Sequence, residues 1–264
     1  MLLSRDILKI NPEKTANKIT LLLRKYVESA RASGVVLGMS GGVDSSVAAI
    51  LSLRALGKDQ VIGISIPEME TLEPEDIEDA SKLAQRFKFK FSEVDISETI
   101  NVISKLLPVF DPSDNVAKGN LKSRIRMLTL YYFANRLRCI VVGTTNKSEL
   151  LTGYFTKYGD GSSDIAPLGN LYKTQVYQLA SYLKIPKKII LKRPSAGLWR
   201  SQYDEDEFEM KYKDLDLILY GLENNFSDEE IADQLKVSKK NVKNVRRRLT
   251  LNKHKRFGPI LLNK

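Results

Sequence analysis

Ser40-Gly41-Gly42-Val43-Asp44-Ser45 stands between a short apolar run, Val35–Gly38, and an Ala- and Leu-rich run over 46–56 that stops before Gly57. The first run has the length of a buried strand and the second that of a helix, so 40–45 is a strand-to-helix turn. Its glycines let the backbone turn tightly and bring N–H groups against phosphate oxygens, and the helix start that follows adds a favourable dipole. The two serines supply hydroxyl donors. A glycine pair among serines also suits a plain tight turn, but the strand before it, the helix after it and the acid inside it favour a phosphate cradle. The loop lacks the Gly-Lys-Ser/Thr ending of the common P-loop. Asp44 stands where its charge would repel phosphate, which implies a bridging cation, and Mg²⁺ suits that role because it shares an oxygen shell between carboxylates, waters and phosphates.

Working outward, Asn11 and Pro12 read as a helix cap and first turn, and the spacing of Ile19, Leu22, Leu23, Tyr26 and Val27 predicts a helix running to Gly34. Beyond the loop the pattern predicts strands over 61–66, 89–96 and 140–143 and helices over 75–87 and 121–137. Such alternation specifies an α/β fold, a doubly wound parallel sheet flanked by helices, because parallel neighbours need crossovers and the crossovers are helical. Ligands bind at the carboxyl ends of such strands. Residues 150–170 are rich in Gly, Tyr, Asp and Ser with little periodicity, as expected of a functional loop. Helices over 172–183, 212–222, 228–235 and 239–251 then form a basic tail. The expectation is one domain over 1–264, with a nucleotide-binding core over 35–200 and a helical C-terminal extension over 201–264.

Composition is that of a globular protein, with 42% hydrophobic and 28% charged residues. Lys and Arg number 42 against 32 Asp and Glu, a formal charge of +10 that favours anionic partners such as nucleotides or nucleic acid. Many of these lysines simply coat solvated helix faces. A single Cys139 excludes an internal disulfide framework and a multi-cysteine metal site, and fits a reducing compartment, the cytoplasm by default. No stretch reaches the roughly 18 apolar residues of a membrane span, and the first residues lack a signal-peptide core.

The Ser-Gly-Gly-Val-Asp-Ser string resembles the signature of the ATP pyrophosphatase superfamily, whose members split ATP between the α and β phosphates. Further strings narrow the resemblance to the ammonia-dependent NAD synthetase family. They are Gly143-Thr144-Thr145-Asn146-Lys147-Ser148-Glu149, then Gly153-Tyr154-Phe155-Thr156-Lys157-Tyr158-Gly159-Asp160-Gly161, then Asp164-Ile165-Ala166-Pro167-Leu168. Lys122-Ser123-Arg124-Ile125-Arg126-Met127, Tyr172-Lys173-Thr174-Gln175, Pro194-Ser195-Ala196-Gly197-Leu198-Trp199 and His254-Lys255-Arg256 fall in the same family order.

The resemblance implies ATP-dependent amidation of deamido-NAD by ammonia, giving NAD, AMP and pyrophosphate through an acyl-adenylate. It assigns Gly38, Met39, Ser40, Gly41, Gly42, Val43, Asp44 and Ser45, with Thr144, Lys173 and Ser195, to ATP. It assigns Asp44 and Glu149 to Mg²⁺, and Arg124, Lys157, Asp164, His254 and Lys255 to deamido-NAD. Lys173 would meet charge on the departing pyrophosphate, and Asp160 is the candidate for holding ammonium and accepting its proton. Arg200-Ser201-Gln202-Tyr203 departs from the Pro-Gly-Gln-Thr that related archaeal-type sequences carry before Asp-Glu, which bears on local turn geometry. A homodimer is expected, and with Ser40 so near the start, free ammonia or a separate glutamine amidotransferase is expected to supply the nitrogen.

Residues 228–248 also resemble a DNA-binding helix-turn-helix whose basic second helix could enter a major groove. The family resemblance uses the same stretch as a tail that delivers His254 and Lys255 to substrate. Nucleic acid is therefore not the expected partner.

Overall fold

The computed structural model describes every residue except 1, 72, 260 and 262–264, so the outermost part of the 201–264 extension lies outside the described residues. Helix α1, Pro12–Ser29, begins as its sequence dictates, with Asn11 Oδ1 accepting from the Lys14 N–H at 2.9 Å. It ends earlier than its apolar spacing suggests, because the chain turns through Arg31 at φ 50° before entering β1, Val35–Gly38. Helix α2, Val43–Leu56, starts inside the predicted turn, so Asp44 lies in a helical first turn.

The chain continues through β2 (Val61–Ser65), α3 (Pro74–Phe87), β3 (Lys90–Glu93), α4 (Ser97–Leu106), α5 (Asn115–Leu137) and β4 (Ile140–Val142). The strands form one parallel sheet in the order β3-β2-β1-β4, with Val35 opposite both Val61 and Ile140. Going from β1 to β3 the sheet grows in one direction, and β4 then returns to the other side of β1. The loops after β1 and β4 consequently part at their carboxyl ends and open a crevice.

Period-two alternation distributes the strand side chains between two faces. Val35, Leu37 and Val142 join the core made with α1, α2, α3 and α7 (Lys173–Tyr182), whereas Val36, Ile64 and Val141 join the core under α4 and α5. Burying a side chain such as Leu37, with no exposed surface, stabilises the fold by about 1.5–3 kcal/mol. The doubly wound α/β expectation therefore holds, with α4 as an added element.

After β4 come α6 (Lys147–Thr152), α7, α8 (Lys187–Leu191), α9 (Asp204–Glu207), α10 (Tyr212–Glu223), α11 (Asp228–Leu235) and α12 (Lys239–Leu251). Helix α6 occupies the start of the stretch expected as loop. Helices α10 to α12 enclose a further core of Leu215, Ile218, Leu219, Ile231, Val242 and Val245, which also takes Leu3 and Leu8 from the N-terminus. No described helix is long and apolar enough to cross a membrane.

Candidate active site

The crevice between the loops after β1 and β4 deepens into a cavity of about 490 Å³, in the range of small-molecule sites. Gly38, Met39, Ser40, Gly42, Val43, Asp44 and Ser45 line it. Gly41 turns at φ +72° with its α-carbon against Asp76, where a Cβ would come within 2.4 Å of the Asp76 carbonyl oxygen. Only glycine fits there. Ser45 Oγ donates to the Gly42 carbonyl at 3.1 Å and Ser46 Oγ at 2.8 Å, which fixes the turn without blocking the free N–H groups at the start of α2.

Opposite the loop, Thr144 lies just past the end of β4 and Asn146 caps α6 through a capping box with Glu149. Asn146 Nδ2 also crosses to donate to Asp44 Oδ1 at 3.0 Å. Lys173, at the first position of α7, places its ammonium 2.5 Å from Asp44 Oδ2 and 3.5 Å from Glu149 Oε1. Burial pushes the Glu149 carboxyl above the usual carboxylate range, the Asp44 charge adding to it and the Lys173 ammonium opposing it. Burial by itself would lower the Lys173 pKa, but Asp44 and then Glu149 outweigh it and hold the lysine charged.

Ser195, Asp160 and Lys255 line the same cavity. Asp160 Oδ1 accepts from the Thr156 N–H at 2.9 Å and from Ser123 Oγ at 2.7 Å, while Oδ2 makes no hydrogen bond among the described residues. Lys255 Nζ is steered by the carbonyls of Gly153 and Phe155 at 2.8 and 3.0 Å. Arg124, Lys157 and His254 stand outside the cavity in one chain of contacts. Arg124 donates to the Lys157 carbonyl at 3.3 Å, and Lys157 Nζ donates to the His254 carbonyl at 2.8 Å. Asp164 is also outside and engages both oxygens, accepting from the Val141 N–H at 2.7 Å and the Tyr131 hydroxyl at 3.2 Å.

The NAD synthase family matches this chain over residues 15–259. The chain belongs to the NAD synthase family. An NH(3)-dependent NAD(+) synthetase of Methanocaldococcus jannaschii is 46% identical over 94% of this chain and 95% of its own length. Among solved structures, NMN synthetase from Francisella tularensis superposes with a TM-score of 0.86 at 33% identity, covering 97% of this chain and 100% of that one. The NH3-dependent NAD synthetase of Campylobacter jejuni, solved with a nitrate ion, gives 0.81 at 29% identity over 97% and 100%.

In and around the cavity of this NAD synthase family member stand residues that were not among the expected site residues, Arg126 and Asp204 lining it and Asn146 and Asp216 behind its wall. Arg126 donates Nε to the Ile66 carbonyl at 3.0 Å and borders the cavity, burial lowering its pKa. Arginines on amphipathic helices are mostly solvated, and no local pattern sets this one apart. Asn146 was legible, since Asn-Lys-Ser-Glu is a capping-box string. Asp204 enters from α9, and Asp216, fully buried on α10, accepts from Ser148 Oγ at 2.5 Å and from the Thr174 N–H at 2.8 Å. A charge between Leu215 and Leu217 in an apolar helix was the available signal for the second, and the Asp-Glu pair that Asp204 and Glu205 share with related sequences was the signal for the first.

Proposed function

We propose that this protein condenses ammonia with the nicotinate carboxylate of deamido-NAD, consuming ATP and releasing NAD, AMP and pyrophosphate. The observation that carries this reading is the meeting of the 40–45 loop, Asp44, Glu149 and Lys173 in one cavity of a NAD synthase family chain. The donor set fits a divalent ion, because Asp44 Oδ2 and Glu149 Oε1 are hard oxygens that already share one cation, the lysine ammonium. Asp44 and Glu149 are the residues that would hold Mg²⁺, and the ion when bound would draw charge from phosphate oxygens.

The N–H groups of the loop and the start of α2 hold the phosphates, with Thr144 and Ser195 completing the ATP site. The nicotinate carboxylate attacks the α-phosphorus, the bond to the β-phosphate oxygen breaks, and Lys173 meets the charge on the departing pyrophosphate. Asp160 then holds ammonium and takes its proton, and the nitrogen attacks the acyl carbon, expelling AMP. The line Arg124–Lys157–His254, which has two cations in it, with Lys255 reaching inward and Asp164 beside it, supports binding of the dinucleotide's diphosphate and riboses. Its extent beyond the cavity favours a dinucleotide over a mononucleotide.

We read core and extension as a single domain, working as a homodimer in a reducing compartment such as the cytoplasm. The homodimer reading is supported by the exposed apolar residues Val102, Leu106, Val116, Leu128 and Tyr132 of α4 and α5. Cys139 precedes β4, at the end of the strand away from the cavity, and is not among the cavity-lining residues, so no thiol nucleophile is available there for glutamine hydrolysis. Free ammonia, or ammonia from a separate amidotransferase, serves.

The test is release of AMP and pyrophosphate by purified protein given ATP, Mg²⁺ and ammonium, with deamido-NAD, nicotinate mononucleotide or no acid. Product dependent on deamido-NAD, and none with glutamine replacing ammonium, is the expected result. Preference for nicotinate mononucleotide would move the activity to that of the Francisella relative, and robust glutamine-driven synthesis would overturn the ammonia reading.

A further inference from the structure

Asp204 is the least explained group in the cavity. It is 3% exposed, and its Oδ2 accepts from the Tyr212 hydroxyl at 2.9 Å. Its other oxygen, Oδ1, is buried with no hydrogen-bond partner among the described residues. The nearby Tyr154 hydroxyl donates instead to Glu207 Oε1 at 3.2 Å. Burial raises the Asp204 pKa, and the Lys173 charge is the strongest influence against it. A buried carboxylate oxygen without a donor calls for an absent partner, preferably a cation.

That cation is one ring away. The Lys173 ammonium lies 5.2 Å from the centroid of the Tyr212 ring, the ring whose hydroxyl reaches Asp204. The lysine is meanwhile engaged with Asp44 and Glu149, the two carboxylates read above as metal ligands. A divalent ion seated on those oxygens would stand beside the ammonium, and like charges at contact distance repel strongly where water is scarce, which drives the ammonium away. The lysine stem has four rotatable bonds and can carry its charge a few ångströms, so arrival of the ion requires a second acceptor for it.

We propose that Lys173 fills the metal position in the nucleotide-free protein, and that Asp204 is the positioning residue that receives its ammonium when the divalent ion enters. The proposal rests on the assignment of Asp44 and Glu149 to the metal. Asp204 thereby favours metal entry without touching the metal, and it leaves the lysine charged and beside the phosphates. If Asp204 only anchored Tyr212 and α9, its loss would act on metal binding equally with or without a lysine at 173.

Mn²⁺ affinity of the full chain without nucleotide, followed by electron paramagnetic resonance of the free ion and by calorimetry, separates these cases. Lys173→Met is expected to tighten Mn²⁺ about tenfold and Asp204→Asn to weaken it by about three- to tenfold, with the Asp204→Asn effect vanishing in the double variant. Unchanged affinity in either single variant, or the same weakening by Asp204→Asn in the Lys173→Met background, overturns the proposal. If Asp204→Asn does not fold, Asp204→Ser, which keeps an acceptor for Tyr212, replaces it in the same cycle. Asp44→Asn and Glu149→Gln are the control for the underlying assignment. If neither alters Mn²⁺ affinity, the metal reading itself fails, an outcome distinct from failure at Asp204.

Discussion

At the scale of single residues, the site is a small set of charges whose meaning depends on which cation they face. Asp44 and Glu149 converge on Lys173 in the structure, and the same oxygens are proposed for Mg²⁺ during turnover. Asp44→Asn and Glu149→Gln should each lower turnover on the order of a hundredfold or more, because the metal loses a charged ligand while the side-chain volume is kept. AMP release at limiting Mg²⁺, with circular dichroism to check the fold, measures this; a near-normal rate in either variant removes that residue from the metal site. Asp160→Asn should raise the KM for ammonium and leave those for ATP and deamido-NAD largely unchanged, since Asn keeps an acceptor for Thr156 and Ser123 but loses the charge. Equal effects on all three substrates would mean that Asp160 shapes the 153–161 loop and does not hold ammonium. The glycine loop and its acid were legible because a tight turn needs Gly and a phosphate site needs N–H groups. The partnership of Asp44 with Glu149 was legible only through resemblance, as it depends on β1 and β4 being neighbours.

At the scale of elements, one buried carboxylate joins three helices. Asp216 of α10 holds Ser148 of α6, Ser148 Oγ accepts from the Lys173 N–H at 2.9 Å, and Asp216 also holds the Thr174 N–H of α7. The residues next to it in those helices are Glu149 and Lys173. Burial lifts the Asp216 carboxyl from 3.8 to about 6, the bonds from Ser148 and Thr174 opposing the shift. Between those values the folded chain keeps a proton that the unfolded chain has released, so this group's contribution to stability is greatest at low pH and declines as pH rises through about 6. Asp216→Asn removes the group. Denaturant unfolding at stepped pH should show wild type losing stability relative to the variant from about pH 4 to 6, with a constant difference above about 7. A difference that does not change with pH would show that Asp216 does not titrate in that window.

The sequence also misplaced element boundaries for physical reasons. Helix α5 begins at Asn115, where Asp114 Oδ1 caps the Ala117 N–H at 2.8 Å, although Gly119 and Asn120 lower helix propensity there. Gly119 is tolerated because its α-carbon packs against Leu198, where a Cβ would come within 2.9 Å. Such compensation arises between distant segments and leaves no local pattern. Strand β3 is shorter than its apolar and β-branched run because only Lys90–Glu93 pairs with β2.

At the scale of the whole molecule, α4 and α5 leave Leu106 75%, Leu128 64% and Tyr132 70% exposed beside the Arg124 face. An apolar surface of this kind suits a second copy of the chain. Light scattering should find a dimer, and Leu128→Lys should shift it towards monomer while weakening deamido-NAD binding more than ATP binding, as expected if the dinucleotide lies near the subunit boundary. A monomeric wild type, or a monomeric variant of full activity, would separate assembly from catalysis. The basic α12 is part of the same fabric: Arg246 pairs with Asp228 at 2.8 Å, Lys239 pairs with Glu229, and Val242 and Val245 face the tail core.

The tethering of Lys173 by α10 also bears on when the protein becomes competent during its synthesis. The phosphate loop emerges from the ribosome early, and β4, α6 and α7 can fold behind it. Until α10 follows, Ser148 and Thr174 lack their carboxylate and Tyr212 is not yet under the lysine. At that point the Lys173 ammonium has its carboxylate partners Asp44 and Glu149, but the start of α7 that carries it is not yet braced by Asp216. Assembly of the site is therefore complete only once α10 is in place, so it depends on a segment made well after the phosphate loop.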